Sequence, residues 1–175
     1  MKKKKIYRGK ILDLSVYEGK IEKRYVKREM IEHRGAAAMI GFDEKNRIIL
    51  VKQHRFPHGY VLEIPAGTLE KGEKPTECAF REMKEETGYS AKKMKHLVSY
   101  HPSIGYNTEI IHCYVASGLK KVSDIDPDND EFISVVKMDL RKLLRLIMQG
   151  KILDSKTICA VLTYTAKKNL SKLII

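Results

Sequence analysis

The segment 67–89 constrains this chain most strongly, because it predicts a helix with defined ends and an unusual distribution of charge. Pro75 suits the first position of a helix, and Gly88 suits the position just past its end. Residues three and four positions apart on such a helix lie on the same face. Three carboxylates therefore share one face, and they belong to Glu82, Glu85 and Glu86.

Such a ridge of like charges has to be neutralised. Like charges at this spacing destabilise a helix by roughly 0.2–0.5 kcal/mol per pair. Arg81 and Lys84 can neutralise part of the ridge, which would make it a solvated acidic helix face. Carboxylate oxygens are also the ligands that Mg²⁺ and Mn²⁺ prefer. On the helix alone, both interpretations stay open.

The wider spacing of the segment favours the metal site. It matches the pattern G-x5-E-x7-R-E-U-x-E-E-x-G-U, in which U is an aliphatic residue, and only Tyr89 at the last position departs from it. Seven fixed residues at frequencies of about 6–7% each recur by chance about once in 10⁸ starting positions. The matching residues are Gly67, Glu73, Arg81, Glu82, Met83, Glu85, Glu86 and Gly88. This pattern is the Nudix box, and nearly the whole chain resembles the Nudix hydrolases.

The resemblance implies a reaction and a metal site. That family cleaves nucleoside diphosphates linked to another group, on an α/β/α sandwich with a mixed sheet. Divalent ions screen the charge of the diphosphate and acidify a water. By resemblance, Glu82 and Glu86 are the main metal ligands, with Glu85 beside them and the backbone carbonyl of Ala66 as a further ligand. The expected cofactor is Mg²⁺, and Mn²⁺ is an alternative.

The other box residues are expected to hold the site together. Arg81 and Glu73 would pair with neighbouring carboxylates and fix the loop to the helix, so Arg81 is grouped with the catalytic glutamates. Gly67 and Gly88 would supply backbone angles that are closed to other residues.

Three stretches outside the box resemble the ADP-ribose pyrophosphatase branch of the family. Residues 31–38 resemble its E-H-P-G-A strand, residues 51–67 its V-x-Q-Y-R and L-E-x-P-A-G runs, and residues 150–157 its G-x-I-x-D-x-K-T segment. By that likeness Arg55 and Glu63 help to bind the substrate, with Arg55 contacting a phosphate or a ribose.

One position departs from this branch. Its marker proline lies about sixteen residues beyond the last glycine of the box, in S-P-G-x-x-x-E, and Ile104 stands at that position here. Pro102 lies two residues earlier, while Gly105 and Glu109 fit the pattern. By this resemblance, Ile104, Gly105 and Glu109 are expected to bind the substrate. The substitution does not change the expected reaction, which is cleavage of a diphosphate. It does widen the set of expected substrates from ADP-ribose to other ADP-sugars.

An acidic loop, residues 124–131, interrupts an otherwise basic chain. In the branch that it resembles, a carboxylate from the loop before the last strand helps to activate the water. Glu131 is the first match, and Asp128 and Asp130 are the alternatives. A merely solvated loop is an equally good interpretation of any one of these acids.

The hydrophobic pattern predicts an α+β fold. Residues 6–30 predict two strands in a hairpin that turns at Glu18-Gly19, and short apolar runs predict strands on both sides of the box helix. Two helices follow, from Asp139 to Gly150 and from Asp154 to about Asn169. We expect residues 1–33 to form an N-terminal strand extension and residues 34–175 to form the Nudix domain. The branch is usually dimeric through this extension, which implies a homodimer.

Composition excludes several classes of protein. The net charge of +12 comes from basic residues spread along the chain, often beside acids, without the aromatic interleaving typical of a nucleic-acid-binding face. A positive net charge also suits the binding of polyanionic small molecules. No apolar run approaches the roughly 18 residues of a membrane span. Lys2 to Lys5 are most simply a frayed tail without a following apolar segment, and three cysteines at unrelated positions suit a reduced, cytosolic protein.

The sequence therefore predicts a metal-dependent enzyme that cuts ADP-ribose into AMP and ribose 5-phosphate. A broader specificity for other ADP-sugars, NADH or nucleotides is the first alternative. A Nudix-type module that binds ADP-ribose without cleaving it is the alternative from another class. A nucleic-acid-processing role, suggested by the charge alone, is the weakest.

Overall fold

The computed structural model describes residues 1–126 and 132–173, with side chains described as far as residue 169. Strands and helices follow one another as an α+β chain predicts. The strands are β1 (Lys2–Arg8), β2 (Asp13–Ile21), β3 (Arg24–Glu32), β4 (Ala36–Ile40), β5 (Ile48–Arg55), β6 (Gly59–Glu63), β7 (Ala66–Thr68), β8 (Tyr89–Ser90), β9 (Lys93–Tyr100), β10 (Ile111–Ser117), β11 (Lys120–Lys121) and β12 (Ile133–Met138). The helices are α1 (Pro75–Thr87), α2 (Leu140–Met148) and α3 (Ser155–Leu173).

The central layer is built from two sheets whose inner strands, β4 and the first half of β5, are buried on both faces. β4 and β10 pair in parallel, and β7 and β9 flank them antiparallel in the order β7-β4-β10-β9. β5 lies between β12 and β6 in an antiparallel sheet. Every residue of β4 is buried, which explains why its sequence is a continuous apolar run rather than an alternation.

Apolar side chains form two clusters on opposite faces of these sheets. One cluster packs against α2 and α3 through Leu143, Ile147 and Val161. The other packs against α1 through Ala79 and Met83. Helices therefore cover both faces, and the predicted sandwich with a mixed sheet and an N-terminal hairpin extension is confirmed.

Helix α1 begins and ends as its sequence predicts. Pro75 is its first residue, and Gly88 follows its last with φ of 70°, the left-handed conformation that glycine adopts at helix ends. The Gly88 N–H donates to the Lys84 carbonyl at 2.7 Å. Ala79 and Met83 are completely buried against the sheet, whereas Glu82 and Glu85 lie on a different, partly exposed face of α1.

The N-terminal extension has three strands where the sequence predicted two. The expected turn at Glu18-Gly19 is wrong: Gly19 lies inside β2, and the chain turns after Ile21, where Glu22 has φ of 55°. The expected frayed tail is also wrong, because Lys2 to Lys5 lie in β1 and pair with β2. Two ion pairs help to hold these lysines in the sheet: Lys3 pairs with Glu32 at 2.5 Å, and Lys5 pairs with Asp13.

Near the predicted boundary at residue 33, backbone hydrogen bonds join the N-terminal extension to the rest of the chain. The Ile31 N–H donates to the Tyr106 carbonyl at 2.8 Å, and the Thr108 N–H donates to the Ile31 carbonyl at 2.9 Å. The extension is therefore attached to the loop before β10. The division into two parts stays a prediction.

Three very short strands, β7, β8 and β11, were not predicted. Two or three residues carry no alternation that a pattern can show. Helices α2 and α3 are confirmed, with Asp139 accepting hydrogen bonds from the N–H groups of Arg141 and Lys142 at the start of α2. No helix in the described part of the chain is both long and apolar enough to cross a membrane.

The three cysteines are free thiols, as the sequence predicted. Cys78 and Cys113 are fully buried, and burial raises the pKa of each thiol to about 12. They are therefore neutral packing residues at neutral pH.

Candidate active site

One cavity of about 940 Å³ lies between the box helix and the ends of several strands. Its walls combine the acidic face of α1 with basic residues from other elements. The residues on which its chemistry depends are Lys10, Arg34, Arg55, Ala66, Gly67, Arg81, Glu82, Glu85, Glu86, Glu109, Asp126, Asp154 and Lys156.

The carboxylates of α1 approach the backbone of β7 very closely. Glu86 is only 3% exposed, and its Oε2 accepts the Ala66 N–H at 2.8 Å. A Cβ atom on Gly67 would lie 1.9 Å from Cδ of Glu82. The sequence predicts that Gly67 adopts a backbone angle closed to other residues, but its φ is not in the left-handed region. Its role is space, because any side chain there would displace the Glu82 carboxylate.

Arg81 ties the loop before α1 to the helix. Its Nε and Nη2 donate to the two carboxylate oxygens of Glu73 at 2.9 and 3.0 Å. Its Nη1 donates to Glu82 Oε1 at 2.6 Å and to Glu85 Oε2 at 2.9 Å. The hydrogen bonds to Arg81 hold the pKa of Glu73 below its usual value, and the same contacts raise the pKa of Arg81. Arg81 therefore orients the carboxylates while remaining charged.

The acidic wall matches a hard divalent cation in charge and in donor type. Glu73, Glu82, Glu85 and Glu86 carry four negative charges against the single positive charge of Arg81, which leaves three negative charges among these five side chains. All of the donors are carboxylate oxygens, which Mg²⁺ and Mn²⁺ prefer.

The carboxylates are not gathered around one point. Within the described residues, no three acidic, histidine or cysteine side chains converge as a set of metal ligands. Arg81 bridges Glu82 and Glu85 instead. Carboxylate oxygens that border a cavity and carry a net negative charge fit a divalent ion. Such an ion would have to replace part of the bridge that Arg81 forms between Glu82 and Glu85.

Two basic residues of the cavity, Arg55 and Lys156, are held by one buried acid. Glu63 is 3% exposed and accepts Arg55 Nε at 3.0 Å and Nη2 at 3.1 Å, while Lys156 donates to it at 2.5 Å. Burial alone raises the pKa of Glu63, but hydrogen bonds from Arg55 and the charge of Lys156 outweigh it and keep that pKa below its usual value. Glu63 therefore stays ionised and holds two cations at the cavity.

The structure brings some of the predicted substrate residues to the cavity and leaves others away from it. Arg55 and Glu109 line it, whereas Glu63 lies behind Arg55. Ile104, which is 77% exposed, and Gly105 do not line it. Near the marker position, the residue in the wall is instead Pro102.

The predicted base lies outside the described residues, as do both of its alternatives, Asp128 and Asp130. Glu131 therefore stays a prediction. Asp126, from the same loop, lines the cavity, and its N–H donates to the Glu85 carbonyl at 2.8 Å. The described part of the loop thus runs beside the carboxylate face of α1.

Sequence reasoning missed several residues of the cavity. The segment around Lys156 was noticed, but no role was given to that lysine, although the D-x-K spacing offered a signal. Asp154 accepts the Thr157 N–H at 2.9 Å at the start of α3 and also pairs with Lys156 at 2.9 Å. Lys10, between β1 and β2, had no signal at all, because only folding brings the extension to the cavity.

Comparisons with known proteins show what the chain as a whole is similar to. A family model of the NUDIX domain matches residues 32–159. A methanol dehydrogenase activator of Bacillus methanolicus is 42% identical, over 92% of this chain and 89% of its own. An ADP-ribose pyrophosphatase of Bacillus subtilis (strain 168) is 38% identical, over 91% of this chain and 88% of its own.

A solved structure shares the fold. It is the crystal structure of an ADP compounds hydrolase, and it superposes with a TM-score of 0.81 over 98% of this chain and 94% of its own. Its sequence identity is 18%, so the likeness concerns the fold alone.

Proposed function

The chain belongs to the Nudix family, and from that premise we propose that it is a metal-dependent hydrolase that cuts ADP-ribose into AMP and ribose 5-phosphate. One observation carries the proposal: a single cavity is lined by the carboxylates of α1 together with Arg55 and Lys156. Such a cavity suits a diphosphate, because its carboxylates can hold divalent cations and its basic residues can bind phosphate oxygens directly. The relative named ADP-ribose pyrophosphatase supports the choice of substrate.

Each of these two sets of residues has its own task in the proposed reaction. Glu82, Glu86 and the Ala66 carbonyl would hold the cation, with Glu85 beside them. Bound Mg²⁺ or Mn²⁺ would supply charge neutralisation and a more acidic water. Arg55 would bind a phosphate or a ribose and keep its orientation through Glu63.

Proton removal from the attacking water needs a base near the acidic wall. We assign it to Glu131, with Asp128 and Asp130 as the alternatives. Support comes from the described part of the loop, which is hydrogen-bonded to α1 at Glu85. A carboxylate suits the task, because the pKa of a metal-bound water is already lowered.

The decisive experiment measures AMP release from ADP-ribose by the wild-type protein and by Glu82→Gln, with and without Mg²⁺. We expect release only with Mg²⁺, and a loss of about a hundredfold or more in Glu82→Gln. Glu77→Gln is the matched control, since Glu77 lies on the same helix outside the cavity. Tight ADP-ribose binding without AMP release would show a binding module instead.

Substrate range is a separate question. Comparing kcat/KM for ADP-ribose, other ADP-sugars, NADH and oxidised nucleotides will separate a specific enzyme from a broad one. We expect ADP-ribose to rank first. ADP-ribose among the poorest substrates would contradict the proposal while leaving diphosphate hydrolysis in place.

The similarity to a methanol dehydrogenase activator supports a second candidate role. Since that relative matches over most of both chains, this chain could likewise activate a dehydrogenase. Adding the purified protein to a methanol dehydrogenase assay tests this. A rate increase that requires Glu82 would show that activation depends on the acidic wall, and no rate increase would reject the role.

We also propose that the protein is a cytosolic homodimer that neither enters membranes nor processes nucleic acid. The extension already reaches the cavity through Lys10 and Ile11, which suits a role in completing the site. Steeply salt-dependent binding of RNA would contradict the last part.

A further inference from the structure

A second, smaller cavity of about 400 Å³ lies at the C-terminal end of the box helix, next to the last turn, whose Glu85 and Glu86 line the first cavity. It shares no lining residue with the candidate active site. Its walls come from the end of α1, from β8, β11 and β12, and from the turn before β5, where Arg47 lies. The residues that line it are Arg47, Thr87, Tyr89, Lys121, Val135 and Lys137.

This cavity has a surplus of positive charge. Arg47, Lys121 and Lys137 are three cations, and the carboxylate hydrogen-bonded to one of them is that of Asp43, which is buried and accepts Arg47 Nε at 2.9 Å and Nη2 at 2.7 Å. The charge of Glu44 acts on Arg47 without a hydrogen bond between them, so Glu44 does not belong to this set. Lys137 lies 3.9 Å from the same carboxylate. Three positive charges and one negative charge leave two positive charges. Lys121 has no carboxylate partner in the described part of the chain.

Tyr89 organises the two lysines. It is 5% exposed, and the ammonium groups of Lys121 and Lys137 lie 5.7 and 5.0 Å from its ring centroid. Lys137 also donates to the Tyr89 hydroxyl at 2.6 Å. That hydroxyl accepts one hydrogen bond, and its own O–H has no acceptor among the described residues. An aliphatic residue, which is usual at this position of the box, would offer neither the ring nor the hydroxyl.

We propose that this cavity is a second binding site for an anion, and that its ligand is a phosphate group, either inorganic phosphate or the phosphate of a nucleotide. Lys121 and Lys137 supply the charge, and the Tyr89 hydroxyl supplies a directed donor. A dianion would neutralise both surplus charges and would relieve the repulsion between the two lysines. The proposal does not depend on the proposed enzymatic function.

The position of Lys121 connects this site to the end of α1. Its Nζ donates to the Thr87 carbonyl at 3.2 Å, and a Cβ on Gly88 would lie 2.2 Å from that Nζ. The lysine therefore lies directly against the helix terminus. An anion bound to Lys121 will also affect the backbone at the end of α1, where Glu85 and Glu86 line the first cavity. Residues of β11 and β12 therefore have to distinguish the two cavities.

The test is a titration of the ¹⁵N-labelled full-length protein with sodium phosphate, and separately with AMP, at ionic strength held constant with sodium chloride. Amide shifts at Lys121, Val135 and Lys137 report the second cavity, whereas shifts at Arg55 and Lys156 report the first. We expect saturable shifts at the former set with a Kd below about 20 mM. Tighter binding of AMP than of phosphate would identify a nucleotide as the ligand, and equal binding would identify the phosphate group alone.

Charge-removing variants complete the test. Lys121→Gln and Lys137→Gln should each weaken this binding about fivefold or more, while Lys121→Arg should retain it. Lys120→Gln is the matched control, because Lys120 is the adjacent residue of β11, is exposed and lies outside the cavity.

Three results would overturn the proposal. They are shifts confined to the first cavity, no saturation by either ligand, and equal weakening by Lys120→Gln. Should Lys137→Gln not fold, Lys121→Gln remains decisive, because Lys121 is exposed.

Discussion

At the scale of single residues, Arg81 and Gly67 determine the arrangement of the acidic wall in different ways. Arg81 orients Glu73, Glu82 and Glu85 through hydrogen bonds of 2.6 to 3.0 Å. Gly67 acts by lacking a side chain where Glu82 needs the space. Arg81 and Gly67 therefore decide where the carboxylates lie.

Gly67→Ala should separate activity from stability. The new Cβ would meet the end of the flexible Glu82 side chain at 1.9 Å, so that side chain moves while the backbone stays in place. We expect kcat for AMP release to fall about tenfold or more, with the free energy of unfolding changed by less than about 1 kcal/mol. Steady-state kinetics and thermal unfolding measure the two effects. Wild-type kcat would show that Glu82 does not need its present position.

At the scale of elements, buried and crowded contacts hold together pieces that are distant in the chain. Glu63 in β6 connects β5, through Arg55, with the start of α3, through Lys156. Gly88 joins α1 to β8 and lies against Lys121 and the Ser123 carbonyl. The positions of these elements therefore depend on single contacts.

Glu63→Gln should destabilise the protein by about 1–3 kcal/mol, because it leaves Arg55 and Lys156 without their buried charge partner. It should also change the response to acid. Since the pKa of Glu63 is lowered in the folded state, its contribution is present above the pKa of about 4.3 of an unfolded glutamate and is lost as the pH falls through the folded value. Denaturant unfolding at several pH values should show a shallower loss of stability below about pH 4.5 in the variant. Equal slopes would contradict this assignment.

Gly88→Ala should cost more stability than Gly150→Ala. Both glycines have nearly the same left-handed φ, 70° and 68°, and both follow a helix. A Cβ at Gly88 would lie 2.2 Å from two atoms, whereas one at Gly150 would meet nothing within 4 Å. We expect Gly150→Ala to cost about 1 kcal/mol and Gly88→Ala about 2 kcal/mol or more. Equal costs in chemical denaturation would show that the backbone angle alone matters.

At the scale of the whole molecule, the N-terminal extension is the part that bears on assembly. Its strands are largely exposed, and several of its large apolar side chains face solvent. Lys10 and Ile11 nevertheless reach the cavity. A second copy of the chain would bury this exposed surface, as the proposed homodimer requires.

Light scattering coupled to gel filtration should therefore give the mass of a dimer. Ile6, which is 52% exposed on β1, offers a test of where the interface lies. We expect Ile6→Asp to raise the dimer dissociation constant about tenfold or more, because it places a charge in a surface that becomes buried. A monomeric wild-type protein would exclude the dimer, and an unchanged constant would place the interface elsewhere.

The sequence by itself determined the features that local rules control. The ends of α1 follow from Pro75 and Gly88, and the common face of the three glutamates follows from helical spacing. The α+β class follows from periodicity, and the box identified the family. Local rules fail in the extension, where pairing between strands incorporates Lys2 to Lys5, which the sequence alone predicts as a frayed tail.

Only the tertiary structure decided which distant residues meet. Lys10 and Lys156 are far apart in the chain, yet both line one cavity with Arg55, and no local pattern encodes that meeting. The role of Gly67 depends on how closely α1 packs against β7, and the role of Glu63 depends on two cations from other elements. The physical reason is the same in each case: helical and strand periodicity act over a few residues, whereas close packing and charge pairing act across the folded molecule.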